Sequence, residues 1–303
     1  MTDRPRRARR VQLSTPGSSE KMMQKASESK ADHVFLDLED AVAPSQKRDA
    51  RKKIVEALKT LNWKGKTRCV RINDLTTEYA FEDIIEVVEG AGEHLDTIMM
   101  TKVMNASDIL FADKLLGQLE KKLKLERRIG LEALIEEVEG MQNIDAIARA
   151  SSRLECLVFG MGDFSAAMGM EIQSVGADVG YPGDMWHYAR FRLVVACRAA
   201  GIDPVDGPYA DFRNADGYRE EARRAKLLGL VGKWAIHPSQ IDIALDVYSP
   251  KKEDVERARY LEKAYAEAEA KGLGAINIDG VMVDVASIRI LRNIIKKADL
   301  YGM

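Results

Sequence analysis

Eight apolar, β-rich runs, each separated from the next by a helical pattern, constrain this 303-residue chain more than any other feature. They lie near 11–15, 33–39, 67–72, 96–102, 128–136, 155–160, 202–206 and 232–237. Between them, stretches such as 46–60 (QKRDARKKIVEALKT) and 105–122 place apolar residues at three- and four-residue spacings, the period of an amphipathic helix. Strands joined by helical crossovers run parallel, and eight such units close into a (β/α)8 TIM barrel. An open doubly wound sheet competes with this reading. It usually has fewer strands and a Gly-rich phosphate turn after the first, which TPGSS at 15–19 imitates only weakly.

The pattern changes beyond 248. Ser249-Pro250 ends the barrel's last helical region, and 251–271 reads as a charged helix stopped by Gly272 and Gly274. AINIDGVMVD forms a hairpin turning at Asp279-Gly280, and a terminal helix starts near 285. The expected division is a barrel over 1–248 and a small helical and hairpin appendage over 249–303. So short a segment cannot bury a core alone, so it must pack on its own barrel or on a neighbour's.

Charge excludes several partners. With 46 basic against 48 acidic residues the net charge is −2, so no global field attracts nucleic acid or a membrane surface. Only RPRRARR at the start is lopsided, and 1–10 is expected to be a basic, flexible, solvated tail. Phosphate binding is its alternative role; a nucleic-acid arm would need aromatic residues among the arginines. Cys69, Cys156 and Cys197 are too far apart for a metal motif and odd in number, which suggests buried free thiols in a reducing compartment. No apolar stretch approaches the roughly 20 residues of a membrane span, and no apolar region follows the arginines as in a secretory signal. A cytoplasmic location is expected.

In such a barrel the active site lies at the C-terminal ends of the strands. The second strand delivers Asp37, Glu39 and Asp40 there, the third Arg71 and Asn73, and the fourth Lys102. The fifth delivers Glu132, Glu136 and Glu137, the sixth Asp163, and the eighth His237. So many acids on one rim repel one another unless a cation sits among them. A hard divalent ion with oxygen ligands resolves this, and Mg2+ uses one or two carboxylates while keeping places for water and substrate oxygens. Glu136 and Asp163, on adjacent strands, are the best-placed pair, with Gly160 and Gly162 allowing a close backbone approach. Glu39 and Asp40 would hold the Arg71 guanidinium toward the mouth and leave a two-pronged face for a substrate carboxylate. A metal beside that arginine suits a 2-oxo or 2-hydroxy acid.

At these residues the chain resembles the citrate lyase β-subunit-like family, the HpcH/HpaI aldolase group, and within it the malyl-CoA-cleaving branch. The matching stretches are PGSS (16–19), FLDLEDAVAP (35–44), VRIN (70–73), LEALIE (131–136), RLECLVFGMGDFSAAMGM (153–170), DGPYADF (206–212), GKWAIHPSQI (232–241) and GVMVDVASIR (280–289). They run in order along nearly the whole chain.

The resemblance implies a (β/α)8 barrel working as a Mg2+-dependent carbon–carbon lyase on CoA thioesters, with Mn2+ as a substitute ion. Such enzymes split malyl-CoA, and often β-methylmalyl-CoA or citramalyl-CoA, into an acyl-CoA and a 2-oxo acid such as glyoxylate. It implies Glu136 and Asp163 as metal ligands, Arg71 as the oxo-acid clamp braced by Glu39, and Asp284 as the acid that protonates the CoA enolate. Ser14, Ser19 and Lys25 fall at CoA contacts, and Gly162, Asp163, Ile236 and His237 at substrate contacts. Ser19 stands where closer relatives often carry Arg, which shifts the expected CoA affinity toward Lys25 and the arginine-rich start. The segment 171–185 is shorter than the usual lid. The family also implies a homo-oligomer, trimeric or hexameric, in which the appendage reaches a neighbour's barrel mouth. A malyl-CoA thioesterase and a non-catalytic metabolite-binding relic are the rival readings.

Overall fold

The computed structural model describes residues 4–176 and 181–303. Arg9–Tyr248 form one compact unit and Ser249–Met303 a second. All eight expected strands are present: β1 (Val11–Pro16), β2 (His33–Asp37), β3 (Thr67–Arg71), β4 (Thr97–Met100), β5 (Gly130–Ile135), β6 (Leu154–Phe159), β7 (Asp203–Val205) and β8 (Lys233–Ala235). Each is parallel to its neighbours, in the order β7-β6-β5-β4-β3-β2-β1-β8. The ring is completed between β7 and β8 by a parallel bridge from Asp206 to Lys233. On either side of it, Val231 N donates to Pro204 O and Asp206 N to Gly232 O, both at 2.9 Å. The sheet is a closed barrel.

The crossovers are helical: α1 (Glu20–Glu28), α2 (Lys47–Thr60), α3 (Ala80–Ala91), α4 (Ala106–Leu123), α5 (Val138–Gln142) and α6 (Ile144–Arg149). The later ones are α7 (Met161–Ala167), α8 (His187–Ala200), α9 (Ala215–Leu228) and α10 (Ile241–Tyr248). Strand residues alternate between two faces. Leu13, Val34, Leu36, Val70, Ile98 and Leu131 face outward into one large core with the helices. The opposite set lines the barrel: Phe35, Cys69, Met99, Leu134, Cys156, Val158, Val205 and Trp234 form a separate apolar cluster. Two residues toward the strand starts lies a polar floor of Gln12, His33, Thr97 and Glu132. Two residues toward the strand ends lie Asp37, Arg71 and Glu136, all buried.

The floor corrects two expectations. Glu132 does not reach the mouth, because it stands early on β5 and shares its floor. Its Oε1 lies 3.1 Å from Arg9 Nη2, 2.9 Å from His33 Nε2 and 3.1 Å from Thr97 Oγ1, while Oε2 accepts from Gln12 Nε2 at 3.1 Å. Burial pushes this carboxyl up, but His33 and Arg9 more than reverse that and hold it well below the usual range. Nor are the described residues of the arginine-rich start, 4–10, a solvated tail. Arg9 is 1% exposed and also reaches Glu155 Oε2 at 2.9 Å. Arg10 forks onto Asp32, and Arg4 donates to the carbonyls of Ser151, Ser152 and Ala200. The buried acids at the base of the barrel need a cation, and the arginine-rich start supplies it. These three side chains are committed there, not to a phosphate.

The second unit contains α11 (Lys252–Glu269), the antiparallel hairpin β9 (Ala275–Ile278) and β10 (Val281–Asp284), and α12 (Val285–Leu300). Its turn puts Asp279 at φ +52° and Gly280 at φ +80°, the left-handed pair that a two-residue hairpin loop requires. Leu261, Tyr265, Val283 and Ile288 make its small core. Cys69, Cys156 and Cys197 are buried free thiols. Among the described residues no helix is long and apolar enough to cross a membrane.

Removing Arg9 would take from the buried Glu132 and Glu155 the guanidinium they share. We expect Arg9→Met to cost about 3–5 kcal/mol, the range for breaking a buried ion pair from one side. Urea unfolding of the two proteins measures it; a loss below about 1 kcal/mol would mean the arginine is dispensable.

Candidate active site

The β2–β3 register sets Asp37 directly opposite Arg71. Both point into the mouth, and Asp37 takes the side-on face of the guanidinium, from Nε at 2.8 Å and Nη2 at 2.6 Å. The remaining acceptor capacity of Asp37 binds the backbone N–H groups of Glu39 at 2.8 Å and Ala41 at 3.1 Å. The two-pronged face expected to be free for substrate is therefore occupied, because Asp37 shares the inward parity of Phe35. Glu39 Oε2 lies 2.9 Å from Arg71 Nη1, and the exposed Asp40 stands off at 3.8 Å. Trp234 backs the guanidinium carbon at 5.1 Å from its ring centroid. Arg71 is locked on three sides, with its terminal nitrogens toward the mouth.

Glu39 is the next link. Its Oε1 accepts from Lys102 Nζ at 2.6 Å, so each carboxylate oxygen faces a different cation. Lys47, itself buried, donates to the carbonyls of Leu38 at 2.8 Å and Glu39 at 3.0 Å and so fixes the turn that carries Glu39. Sequence reasoning missed this lysine; its signal was a basic residue at the start of α2 on the same face as Ala50 and Ile54.

Lys102 connects Glu39 to Glu136. Its backbone N–H donates to Glu136 Oε1 at 2.8 Å from a left-handed conformation, φ +47°. Glu136 lies against Gly160, where an added Cβ would sit 2.5 Å from both its Cβ and its Oε2. The glycine is thus required by the carboxylate itself; Gly162 has only ordinary contact, 3.6 Å to Val175. Asp163 follows in the first turn of α7, half-buried. Burial, the field of Asp163 and that of Glu39 push the Glu136 carboxyl up to about 8 against the pull of the Lys102 N–H and Arg71. Such a carboxyl is short of positive charge. Hard oxygen donors, one of them buried and under-compensated, fit a divalent cation at Glu136 and Asp163. The other close group of potential ligands, His33, Cys69 and Glu132 on the floor, does not, since Glu132 Oε1 already has three partners.

Ser14 is half-buried in β1, and Lys25 is exposed on α1. Ser19 caps α1, its hydroxyl accepting from Met22 N at 3.3 Å. Ile236 is exposed just beyond β8, and His237 stacks on Phe212 with ring centroids 4.6 Å apart. Gln240 holds both backbone N–H groups, Ile236 at 2.8 Å and His237 at 3.3 Å. In the second unit Asp284 caps α12, accepting from Ser287 N at 2.8 Å and Oγ at 2.9 Å. Those bonds hold its carboxyl below the ordinary value. The segment 171–185 falls partly on 177–180, outside the described residues.

A closed parallel barrel that brings a locked arginine, a buried glutamate and a half-buried aspartate to its mouth fits the class of divalent-metal-dependent barrel enzymes. Residues 10–238 match the HpcH/HpaI aldolase/citrate lyase family, and the chain belongs to that family. It is 40% identical to an L-malyl-CoA/β-methylmalyl-CoA lyase of Rhodobacter capsulatus, over 98% of this chain and 96% of that one. Against a malyl-CoA/β-methylmalyl-CoA/citramalyl-CoA lyase of Chloroflexus aurantiacus it is 33% identical, over 88% and 83%. Among solved structures, the CitE protein of Mycobacterium tuberculosis in complex with magnesium, acetoacetate and coenzyme A superposes with a TM-score of 0.74 at 27% identity, covering 95% and 97%.

The raised Glu136 makes metal binding pH-dependent, because the ion must displace the proton. Below about pH 8 the apparent Mg2+ affinity is expected to fall by up to about tenfold per unit. Linkage gives the companion sign for protein stripped with chelator. The folded state keeps this proton to about pH 8, whereas an ordinary carboxyl loses it near 4.5, so its contribution to stability is full below 4.5 and is lost as pH rises through 8. Calorimetric Mg2+ titrations and thermal melts from pH 6 to 9, with and without Mg2+, check both; an Mg2+ affinity flat across that range contradicts them.

Proposed function

We propose that this chain is a Mg2+-dependent carbon–carbon lyase that cleaves malyl-CoA, with β-methylmalyl-CoA and citramalyl-CoA as related substrates, to an acyl-CoA and a 2-oxo acid such as glyoxylate. One conjunction carries the reading. Two hard oxygen donors, the buried Glu136 and the half-buried Asp163, share a mouth with a locked Arg71, in a chain 40% identical along 98% of its length to an L-malyl-CoA/β-methylmalyl-CoA lyase.

When bound at Glu136 and Asp163, Mg2+ supplies Lewis-acid polarisation of the malyl hydroxyl and carboxylate. Arg71 offers its terminal nitrogens to that carboxylate, and Asp37 and Glu39 prevent the guanidinium from rotating away. The hydroxyl proton passes to water and Asp284 takes one up from water; the oxygen's electron pair then forms the carbonyl of the 2-oxo acid. The carbon–carbon bond electrons pass into the thioester enolate. Asp284 delivers a proton to the enolate carbon. Its ionised state in the cap is the base needed to take that proton in the condensation direction, and microscopic reversibility makes the same group the acid in cleavage. Ser14, Ser19 and Lys25 contact the CoA moiety, and Gly162, Ile236 and His237 border the substrate.

The appendage reaches a neighbouring subunit's mouth in a trimer or hexamer. Val281, Met282, Val285 and Ile290 stand exposed around Asp284, an apolar surround suited to a protein partner.

Incubation with malyl-CoA and Mg2+ is expected to release glyoxylate, and excess chelator to stop it. Malate as the released acid would make the protein a thioesterase instead. Shared sites are tested by reassembly: Asp284→Asn and Arg71→Ala are each expected to be nearly inactive, and their mixture to regain part of the activity. Mixed variants that stay inactive despite proven subunit exchange would exclude completion in trans.

A further inference from the structure

Lys102 touches two different acids of the mouth with two different parts of itself. Its ammonium holds Glu39 at 2.6 Å, and its N–H holds Glu136 at 2.8 Å. We propose that Lys102 is a positioning residue that keeps Glu39 out of the divalent ion's coordination shell, leaving only Glu136 and Asp163 as protein ligands. The inference rests on the metal site proposed above and adds what limits its ligand number.

Three observations carry it. First, the backbone at Lys102 is left-handed, φ +47°, a conformation that glycine or asparagine adopts with less strain. A lysine kept there is a reason to look for work done by its side chain. Second, three carboxylates, Glu39, Glu136 and Asp163, crowd this part of the mouth, and the fields of Glu136 and Asp163 both reach Lys102. A divalent ion would attract all three, yet Mg2+ that is to accept substrate oxygens keeps only one or two carboxylates. Third, Glu39 has no idle oxygen: Oε2 faces Arg71 at 2.9 Å and Oε1 faces Lys102. Of those two restraints, Arg71 is itself fixed by Asp37, whereas Lys102 is a quarter exposed and is the one that faces the metal ligands.

Without the ammonium, Glu39 Oε1 is free to turn onto the ion. The consequence has an unusual sign: the cation binds more tightly while the site works less well. We expect Lys102→Met to raise Mn2+ affinity by about three- to tenfold, the effect of losing a nearby like charge and gaining a carboxylate ligand. Water-proton relaxation should count one fewer exchangeable water on the bound Mn2+, and KM for glyoxylate in the condensation direction should rise. Lys102→Arg should keep the wild-type water number, and adding Glu39→Gln to Lys102→Met should restore it. Should Lys102→Met fail to fold, Lys102→Gly suits the left-handed backbone, keeps the N–H to Glu136, and is expected to lose the same water.

Free Mn2+ measured by electron paramagnetic resonance gives the affinities. An unchanged or weaker Mn2+ affinity with the wild-type water number in these variants would overturn the proposal and leave the metal site standing. A wild-type protein that takes up no Mn2+ would overturn the metal site, and this inference with it.

Discussion

The pairing of Asp37 with Arg71 across two adjacent strands governs the rest of the mouth. Both residues are buried, and neither charge could be left there alone, because an isolated ion in a low-dielectric interior is strongly disfavoured. Their position is set by sheet register, not by flexible side-chain choice. Once Asp37 fills the side-on face of the guanidinium, Arg71 can meet a ligand only through its terminal nitrogens. Glu39, held by an N–H to Asp37, is then placed between Arg71 and Lys102. The site is a chain of ion pairs built outward from one buried contact.

Strand parity explains how much of this could be read from the sequence. The eight strands and the hairpin were legible because each is an apolar or alternating run bounded by helical periodicity or a turn dipeptide. Glu136 and Asp163 could be singled out as the proposed metal pair because both follow such runs. Glu132 was misplaced for a geometric reason: it shares a face with Glu136 but stands four residues earlier, about 13 Å along a strand. One face of β5 thus serves both the floor and the mouth. That Asp37, and not Glu39 or Asp40, takes the two-pronged face of Arg71 could have been found by the same parity, since it continues the inward series His33, Phe35.

Arg9 was hidden by a different cause. Arginines in a Pro-containing run before the first strand read as solvated, and composition alone favours that reading. Only counting interior acids on the floor, Glu132 and Glu155, shows that a cation must come from somewhere outside the eight strands. The apolar helix face could have marked Lys47 as buried, but its carbonyl contacts and the backbone role of Lys102 were out of reach, because a side chain bonded to carbonyls and an N–H bonded to a carboxylate leave no pattern in residue type. Long-range electrostatic need, unlike periodicity, is not a local property of the chain.

The closure between β7 and β8 has the thinnest backbone contact of the ring, two three-residue strands joined by a single bridge and its flanking bonds. Side chains reinforce it. Lys233 Nζ donates to Asp206 Oδ2 at 2.6 Å and to Glu221 at 2.6 Å, and Arg190 forks onto Asp206 at 2.8 and 3.1 Å, with Asp206, Lys233 and Arg190 fully buried. Opening this seam would strand several desolvated charges as well as break a few amide bonds. Buried pairs are little screened by dissolved ions, so added electrolyte does not loosen the ring where its ladder is shortest. The barrel's vulnerability to fluctuation is thereby moved away from its seam and into the peripheral helices and loops.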